Sequence, residues 1–120
     1  MVMRTIWFTF AKEGIHCYPA AADAPDLREV SFLAHPHRHM FHFRVEIAVV
    51  HNDRDIEFIL AKRYCESLFS SGTIEMNHQS CEMLAESLLN QLKDTYAGRS
   101  ISVSVSEDNE NGAVVSYTAV

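Results

Sequence analysis

The sequence predicts an α+β fold with the element order ββααββ, in which two helices cover one face of a four-stranded antiparallel sheet. Three segments carry this prediction. Residues 6–10 are aromatic and β-branched, as strands prefer, and residues 81–92 repeat apolar side chains at helical spacing. Residues 101–107 alternate strictly between apolar and polar side chains, which is typical of a half-buried strand. Two hairpins separated by two helices give the simplest layered arrangement.

In the first half of the chain, glycine and proline mark where the predicted strands bend or end. The first strand continues less regularly beyond Phe10, and Gly14 is expected to mark a bulge or a bend that re-aims His16. Residues 20–28 form the connecting loop. The second strand is predicted over residues 30–50, with a bend near Pro36 because proline cannot donate to a strand ladder.

In the second half of the chain, cap and turn residues mark where the predicted helices begin and end. After a turn over residues 51–55, a first helix is expected over residues 56–69. Its predicted buried stripe is Ile56, Ile59, Leu60, Tyr64 and Leu68. The second helix follows Ser80 as its N-cap and ends at Ala97-Gly98. Residues 113–120 return as the last strand of a hairpin.

Composition narrows the classes of function. The 120 residues (1–120) are expected to form a single domain, with 48% hydrophobic and 22% charged residues. A formal net charge of −6 and the lack of a Lys/Arg run argue against nucleic acid as a partner. Three cysteines without a CxxC pair indicate reduced thiols. No apolar run suits a bilayer or a signal peptide, so we expect a cytoplasmic protein without a membrane partner.

Histidines cluster at the start of the second strand. His35, His37 and His39 alternate along the chain and are expected to share one face of the strand. Same-face neighbours lie about 7 Å apart, but the outer pair of such a row is about 13 Å apart. A transition-metal site built here therefore takes two ligands from the strand and a third from elsewhere. The alternative is that these rings stack, form hydrogen bonds or serve a subunit interface.

Glu107 and Cys17 are further candidates for the site. Glu107 continues the inward parity of its strand, and its carboxylate can accept two parallel hydrogen bonds from the N–H/NH₂ edge of a guanine or pterin ring. The alternative for Glu107 is a solvated acid at the end of a strand. Cys17 is interpreted as a nucleophile or ligand, or otherwise as a small buried side chain. Cys65 and Cys81 fall in the helices and are expected in the core.

The chain resembles the 6-pyruvoyl- and 6-carboxy-tetrahydropterin synthase family, which has the tunnelling (T-) fold. Five segments carry the resemblance in the right order: His16, His37-Arg38-His39-Met40-Phe41, Glu57-Phe58-Ile59-Leu60-Ala61-Lys62, Gln79-Ser80-Cys81-Glu82-Met83-Leu84-Ala85, and Glu107. The resemblance implies a Zn²⁺ site held by His16, His37 and His39, with Glu107 binding the edge of a pterin-type ring. It also implies carbon–oxygen lyase activity and a homo-oligomeric barrel, with a hexamer favoured.

The departures from the family pattern concern proton transfer. The family's catalytic cysteine falls on Leu33, and residues 70–77 lack its Asp-His pair. The glycine between the two strand histidines is replaced by Arg38. A proton-transfer group would then come from Cys17, His35 or His42, and His35 is the preferred histidine because it is expected to share the ligands' face.

Three interpretations stay open at this point. The first is a zinc-dependent lyase acting on a pterin- or purine-like substrate. The second is an oligomer that binds or sequesters such a molecule, or a nucleotide, without converting it. The third is a structural or regulatory subunit with a vestigial site.

Overall fold

The computed structural model describes residues 1–120, and its strands form one mixed sheet with both α-helices packed on the same face. The strands are β1 (Arg4–His16), β2 (His37–Val49), β3 (Ile74–Glu75), β4 (Ile101–Glu107) and β5 (Asn111–Tyr117), and the helices are α1 (Phe58–Ser67) and α2 (Cys81–Thr95). The spatial order is β3-β1-β2-β4-β5. Every neighbouring pair is antiparallel except β3 with β1. The predicted α+β class is confirmed.

The predicted four-stranded antiparallel sheet is wrong because the segment between the helices adds a short fifth strand. β3 runs parallel to the end of β1, and the Met76 N–H donates to the Ile15 carbonyl at 2.8 Å. Met76 itself is buried against Gly14, where a Cβ would approach its sulfur to 2.6 Å. Gly14 therefore marks this close approach. The expected bulge is absent, since the pairing of β1 with β2 runs through Gly14 without interruption.

The connection between β1 and β2 is helical in part, contrary to the predicted strand over residues 30–50. Residues Pro19–Ala22 form one 3₁₀ segment, and Pro25–Ala34 contain two more that are separated by a kink at Val30. Proline stands in the first turn of Pro19–Ala22 and at the start of Pro25–Ala34. β2 starts only at His37, directly after Pro36. Proline has no N–H to add to the ladder, so the strand starts beyond it.

The core lies between the sheet and the two α-helices. Eighteen buried residues form one cluster that includes Phe8 and Phe10 of β1, alternate residues of β2 and β4, and the inner faces of both helices. Phe10 and Phe43 stack across the β1–β2 pair with ring centroids 4.8 Å apart. The alternation predicted for β4 is confirmed, because Ile101, Val103 and Val105 are all buried.

α2 matches its prediction closely. The Ser80 hydroxyl accepts a hydrogen bond from the Met83 N–H at 3.1 Å, as expected of an N-cap. The predicted apolar stripe is buried: Cys81, Leu84, Ala85, Leu88, Leu89 and Leu92. Gly98 has φ +80° just beyond the helix end, a conformation that glycine adopts without strain.

The predicted stripe of α1 is confirmed in part, because Ile56, Tyr64 and Leu68 are half-buried against the core. The fully buried residues of the helix are Ala61 and Cys65, whereas Ile59 and Leu60 are 51% and 64% exposed. The helix is capped by Glu57, whose carboxylate accepts from the Ile59 N–H at 2.8 Å. The part of the apolar stripe at the start of α1 therefore faces outward. No helix of this fold is long and apolar enough to cross a membrane.

One charged contact links the end of β2 to the start of β4. Asp55 accepts two hydrogen bonds from the guanidinium of Arg99, at 2.6 and 3.1 Å, and a third from the Val50 N–H at 2.9 Å. Arg99 also donates to the Ala48 carbonyl. The hydrogen bonds from Arg99, followed by the one from Val50, lower the pKa of Asp55 to about 2.

We expect Asp55→Asn to lower the urea midpoint at neutral pH, because the charged acceptor of Arg99 is lost. A carboxyl group with a lowered pKa in the folded state contributes stability above its unfolded pKa of about 3.9 and loses that contribution as the pH falls toward 2. The difference between wild type and variant should therefore shrink between about pH 4 and pH 2. Urea titrations followed by circular dichroism at several pH values measure it. Asp53→Asn is the control, since Asp53 is 92% exposed; an equal effect of both variants would contradict the assignment.

Candidate metal centre

The β1–β2 pairing brings three imidazoles together at one end of the sheet. His16 is directly opposite His37, and His39 lies two residues further along the same face of β2. The ring centroids are 4.6 to 5.4 Å apart. One nitrogen of each ring lies within 4.8 Å of the corresponding nitrogens of the other two. The three predicted ligands are therefore close enough to bind one metal ion.

Each of the three rings is held through its Nδ1 atom by an acceptor. Nδ1 of His16 is 2.8 Å from the Gln79 carbonyl, and Nδ1 of His37 is 2.8 Å from the His35 carbonyl. Nδ1 of His39 is 2.7 Å from the Asp108 carboxylate. Carbonyl and carboxylate oxygens only accept, so each Nδ1 carries the hydrogen and each neutral ring keeps its lone pair on Nε2. Ligating histidines are oriented in the same way in metalloproteins.

Burial makes the inward-facing nitrogen of His16 conspicuous. His16 is 8% exposed, and its Nε2 is buried without a hydrogen-bond partner. The ring of Phe41 lies beneath it, edge-on at a centroid distance of 5.1 Å. Buried polar atoms are nearly always satisfied in folded proteins. A metal ion bound to this nitrogen satisfies it, so the residues present fit such a group.

Charged groups surround the three rings. The Glu107 carboxylate lies 3.4 Å from Nε2 of His16 and 3.3 Å from Nε2 of His39. Hydrogen bonds from the Met40 N–H and from His39 lower the pKa of Asp108, so its carboxylate is ionised and accepts from His39.

The thiol of Cys81 is uncharged. Burial, and then the nearby Glu107, raises the pKa of the Cys81 thiol to about 12. Cys81 therefore stays a neutral thiol at physiological pH.

A cavity of about 310 Å³ opens beside the imidazoles. It lies between the end of β1, the segment before α2 and the β4–β5 hairpin. Its walls are His16, Cys17, Tyr18, Leu33, His37, His78, Gln79, Ser80, Cys81, Glu82, Glu107, Asn111 and Gly112. Histidine nitrogens, a carboxylate and amide groups thus face one small concave space, as in binding sites for small polar molecules.

Of the two remaining predicted site residues, one lines this cavity and the other does not. Cys17 lines it, with its sulfur 3.8 Å from Nδ1 of His78. His35 is exposed, lies before β2 and is not among the cavity walls, so the expectation that it shares the ligands' face is wrong. Pro36 ends the alternation before it reaches His35. His35 contributes its backbone carbonyl instead of its ring.

Sequence reasoning gave His78 no role in the site. It lies between β3 and α2, and the hydrogen bond from the Cys17 N–H to the Asn77 carbonyl, at 2.9 Å, brings it beside Cys17. No periodicity in residues 70–80 predicts this placement, because it depends on the pairing of β3 with β1.

No protein-family model matches the chain, and no curated protein is similar enough to it to count as a relative. The assignment of function therefore depends on the geometry of the imidazoles, the carboxylate and the cavity.

Proposed function

We propose that this chain is a zinc-binding protein of the tetrahydropterin synthase type, whose cavity holds a flat pterin- or purine-like molecule. The observation that carries the proposal is that one nitrogen from each of three imidazoles lies within 4.8 Å of the others, while each ring is held by an acceptor at Nδ1. The Glu107 carboxylate lies 3.4 and 3.3 Å from Nε2 of His16 and of His39. Lone pairs and a carboxylate repel one another unless a positive charge lies between them.

The donor set favours zinc. Three imidazole nitrogens are the protein ligands of many catalytic zinc sites, and imidazole is a good ligand for zinc. His16, His37 and His39 would hold the ion. Bound zinc supplies Lewis acidity, which polarises a hydroxyl or carbonyl oxygen of a substrate.

The cavity suits a small heterocycle. Its volume of about 310 Å³ is at the lower end of the range for small-molecule sites. Glu107 can accept two parallel hydrogen bonds from an N–H/NH₂ ring edge. Leu33, at the position of the family's cysteine, lines this same cavity, which supports the resemblance while removing the family's thiol.

Lyase activity requires a proton-transfer group, and the proposal assigns this role to Cys17 with His78 as its partner. The two side chains are in contact and face the cavity. His35 is not suited to this role because its ring is not among the cavity walls.

The second candidate function is binding without conversion. Leu33 favours it, because an apolar side chain occupies the wall where the family has its cysteine. A protein of this kind would sequester a purine, pterin or nucleotide and use zinc only to hold the ligand.

Assembly into a homo-oligomer, with a hexamer favoured by the resemblance, is also proposed. The outer edge of β5 has no strand partner, and β3 covers only the end of β1. Open strand edges are templates for pairing with another copy. The exposed apolar side chains of Phe58, Ile59 and Leu60 offer a further contact.

We expect one zinc ion per chain in untagged wild-type protein, measured by elemental analysis and by competition with a chromophoric chelator. His16→Ala or His37→Ala removes a ligand and should weaken zinc binding by about 100-fold or more. His42→Ala is the matched control, since His42 lies on β2 with the opposite parity and is not among the clustered rings. Equal zinc binding by all four proteins, or none by the wild type, would contradict the metal site.

We expect guanine and neopterin to bind the zinc-loaded protein more tightly than hypoxanthine, which lacks the 2-amino group that would donate a hydrogen bond to the Glu107 carboxylate. Isothermal titration calorimetry measures the difference, expected to be about 10-fold or more for one hydrogen bond to a charged acceptor. Equal affinities would exclude the ring-edge role of Glu107.

A second experiment distinguishes the lyase from the binding protein by measuring turnover of dihydroneopterin triphosphate. Turnover that falls in Cys17→Ser, while ligand affinity stays unchanged, supports the lyase. Ligand binding without turnover supports the protein that binds without conversion.

We expect the purified protein to elute as a multimer, with a hexamer as the favoured mass in light scattering. Val114→Pro, at an exposed position of the outermost strand β5, should reduce the multimer because proline disrupts edge pairing. Val120→Pro, at an exposed position beyond the end of β5, is the control. A monomeric wild type at micromolar concentration would contradict the assembly.

A further inference from the structure

The carboxylate of Glu107 lies against the lone-pair nitrogens of two imidazoles. Its Oε1 is 3.4 Å from Nε2 of His16, and its Oε2 is 3.3 Å from Nε2 of His39. In the neutral rings the hydrogen is on Nδ1, so neither Nε2 has a hydrogen to donate. In that form the contact is not a hydrogen bond, and it brings together groups that repel.

Each of these separations, taken by itself, matches that between two ligands of one tetrahedral metal ion, and the two involve different oxygens of the carboxylate. Zinc binds imidazole nitrogen and carboxylate oxygen at about 2.0–2.2 Å, so two such atoms at the tetrahedral angle are about 3.3–3.5 Å apart. The distances from Glu107 to His16 and to His39 both fall in that range.

The strand pairing supports the same placement. Glu107 is paired with Phe41 across the β2–β4 ladder, and Phe41 follows His39 on one face of β2. The next residue, Asp108, is tied to β2 through its carboxylate, which accepts from the Met40 N–H and from His39. The backbone that carries Glu107 is therefore fixed relative to the imidazoles.

We propose that Glu107 is the fourth ligand of the metal held by His16, His37 and His39, so that the ligand-free protein has a closed His₃Glu site. The inference rests on the proposed function, because it needs the metal ion. It deepens that function by giving Glu107 a second role besides ring recognition. A ring whose N–H/NH₂ edge donates hydrogen bonds to this carboxylate would draw Glu107 away from the metal, which would leave a coordination position for a substrate oxygen.

The test replaces zinc with Co²⁺, whose visible absorption reports the number and kind of ligands. Glu107→Gln keeps the shape of the side chain and removes its charge. Loss of a residue that only hydrogen-bonds to a metal ligand weakens metal binding by roughly 10- to 100-fold. Glu107→Gln should weaken Co²⁺ binding by more than that, and it should change the absorption bands. The matched control is Glu110→Gln, an exposed acid of the same hairpin turn, which should leave affinity and spectrum unchanged.

A second variant keeps the test independent of any loss of stability. Glu107→Ala should bind Co²⁺ with an altered spectrum that added acetate restores, whereas acetate should leave the wild-type spectrum unchanged. Wild-type affinity and spectrum in both Glu107 variants would overturn the fourth-ligand assignment while leaving the three-histidine site standing. A wild-type protein that binds no Co²⁺ or zinc would overturn the proposed function together with this inference.

Discussion

The antiparallel register between β1 and β2 holds His16 opposite His37, and the other features of the site depend on that pair. A slip of one residue would turn every side chain of one strand to the opposite face of the sheet. The register is secured within the core, where Phe8 lies opposite Val45 and Phe10 stacks on Phe43. The interactions that stabilise the fold are thus the same ones that bring the imidazoles together.

Three separate segments then orient the rings through their Nδ1 atoms. The carbonyl of Gln79 precedes α2, the carbonyl of His35 precedes Pro36, and the carboxylate of Asp108 begins the β4–β5 turn. Asp108 has φ +55°, a left-handed conformation that aspartate tolerates better than most residues. Its N–H also donates to the Met40 carbonyl at 2.8 Å, which ties the turn to β2. Side chains already ordered by such contacts lose little conformational entropy when they bind a ligand.

Periodicity could predict the residues whose positions depend on one strand or one helix. The alternation of β2 predicted the pairing of His37 with His39 on one face, and the parity of β4 predicted that Glu107 faces the core side. The alternation was extended too far at His35, because Pro36 delays the start of the strand. β3 and His78 could not be predicted, since both depend on contacts between distant segments. The apolar stripe of α1 is buried only in part, because apolar spacing alone does not show which residues a neighbouring element covers and which, like Ile59 and Leu60, stay exposed.

A cation explains the convergence of His16, His37, His39 and Glu107 better than added protons do. If each imidazole instead carried a second proton, three positive rings would lie with centroids 4.6 to 5.4 Å apart, and charges at that distance in a partly buried site repel strongly. The charges of Glu107 and Asp108 could offset only two of the three. One divalent ion between the Nε2 atoms satisfies all three lone pairs and the carboxylate without placing like charges side by side. It also satisfies the one nitrogen, Nε2 of His16, that is otherwise buried without a partner.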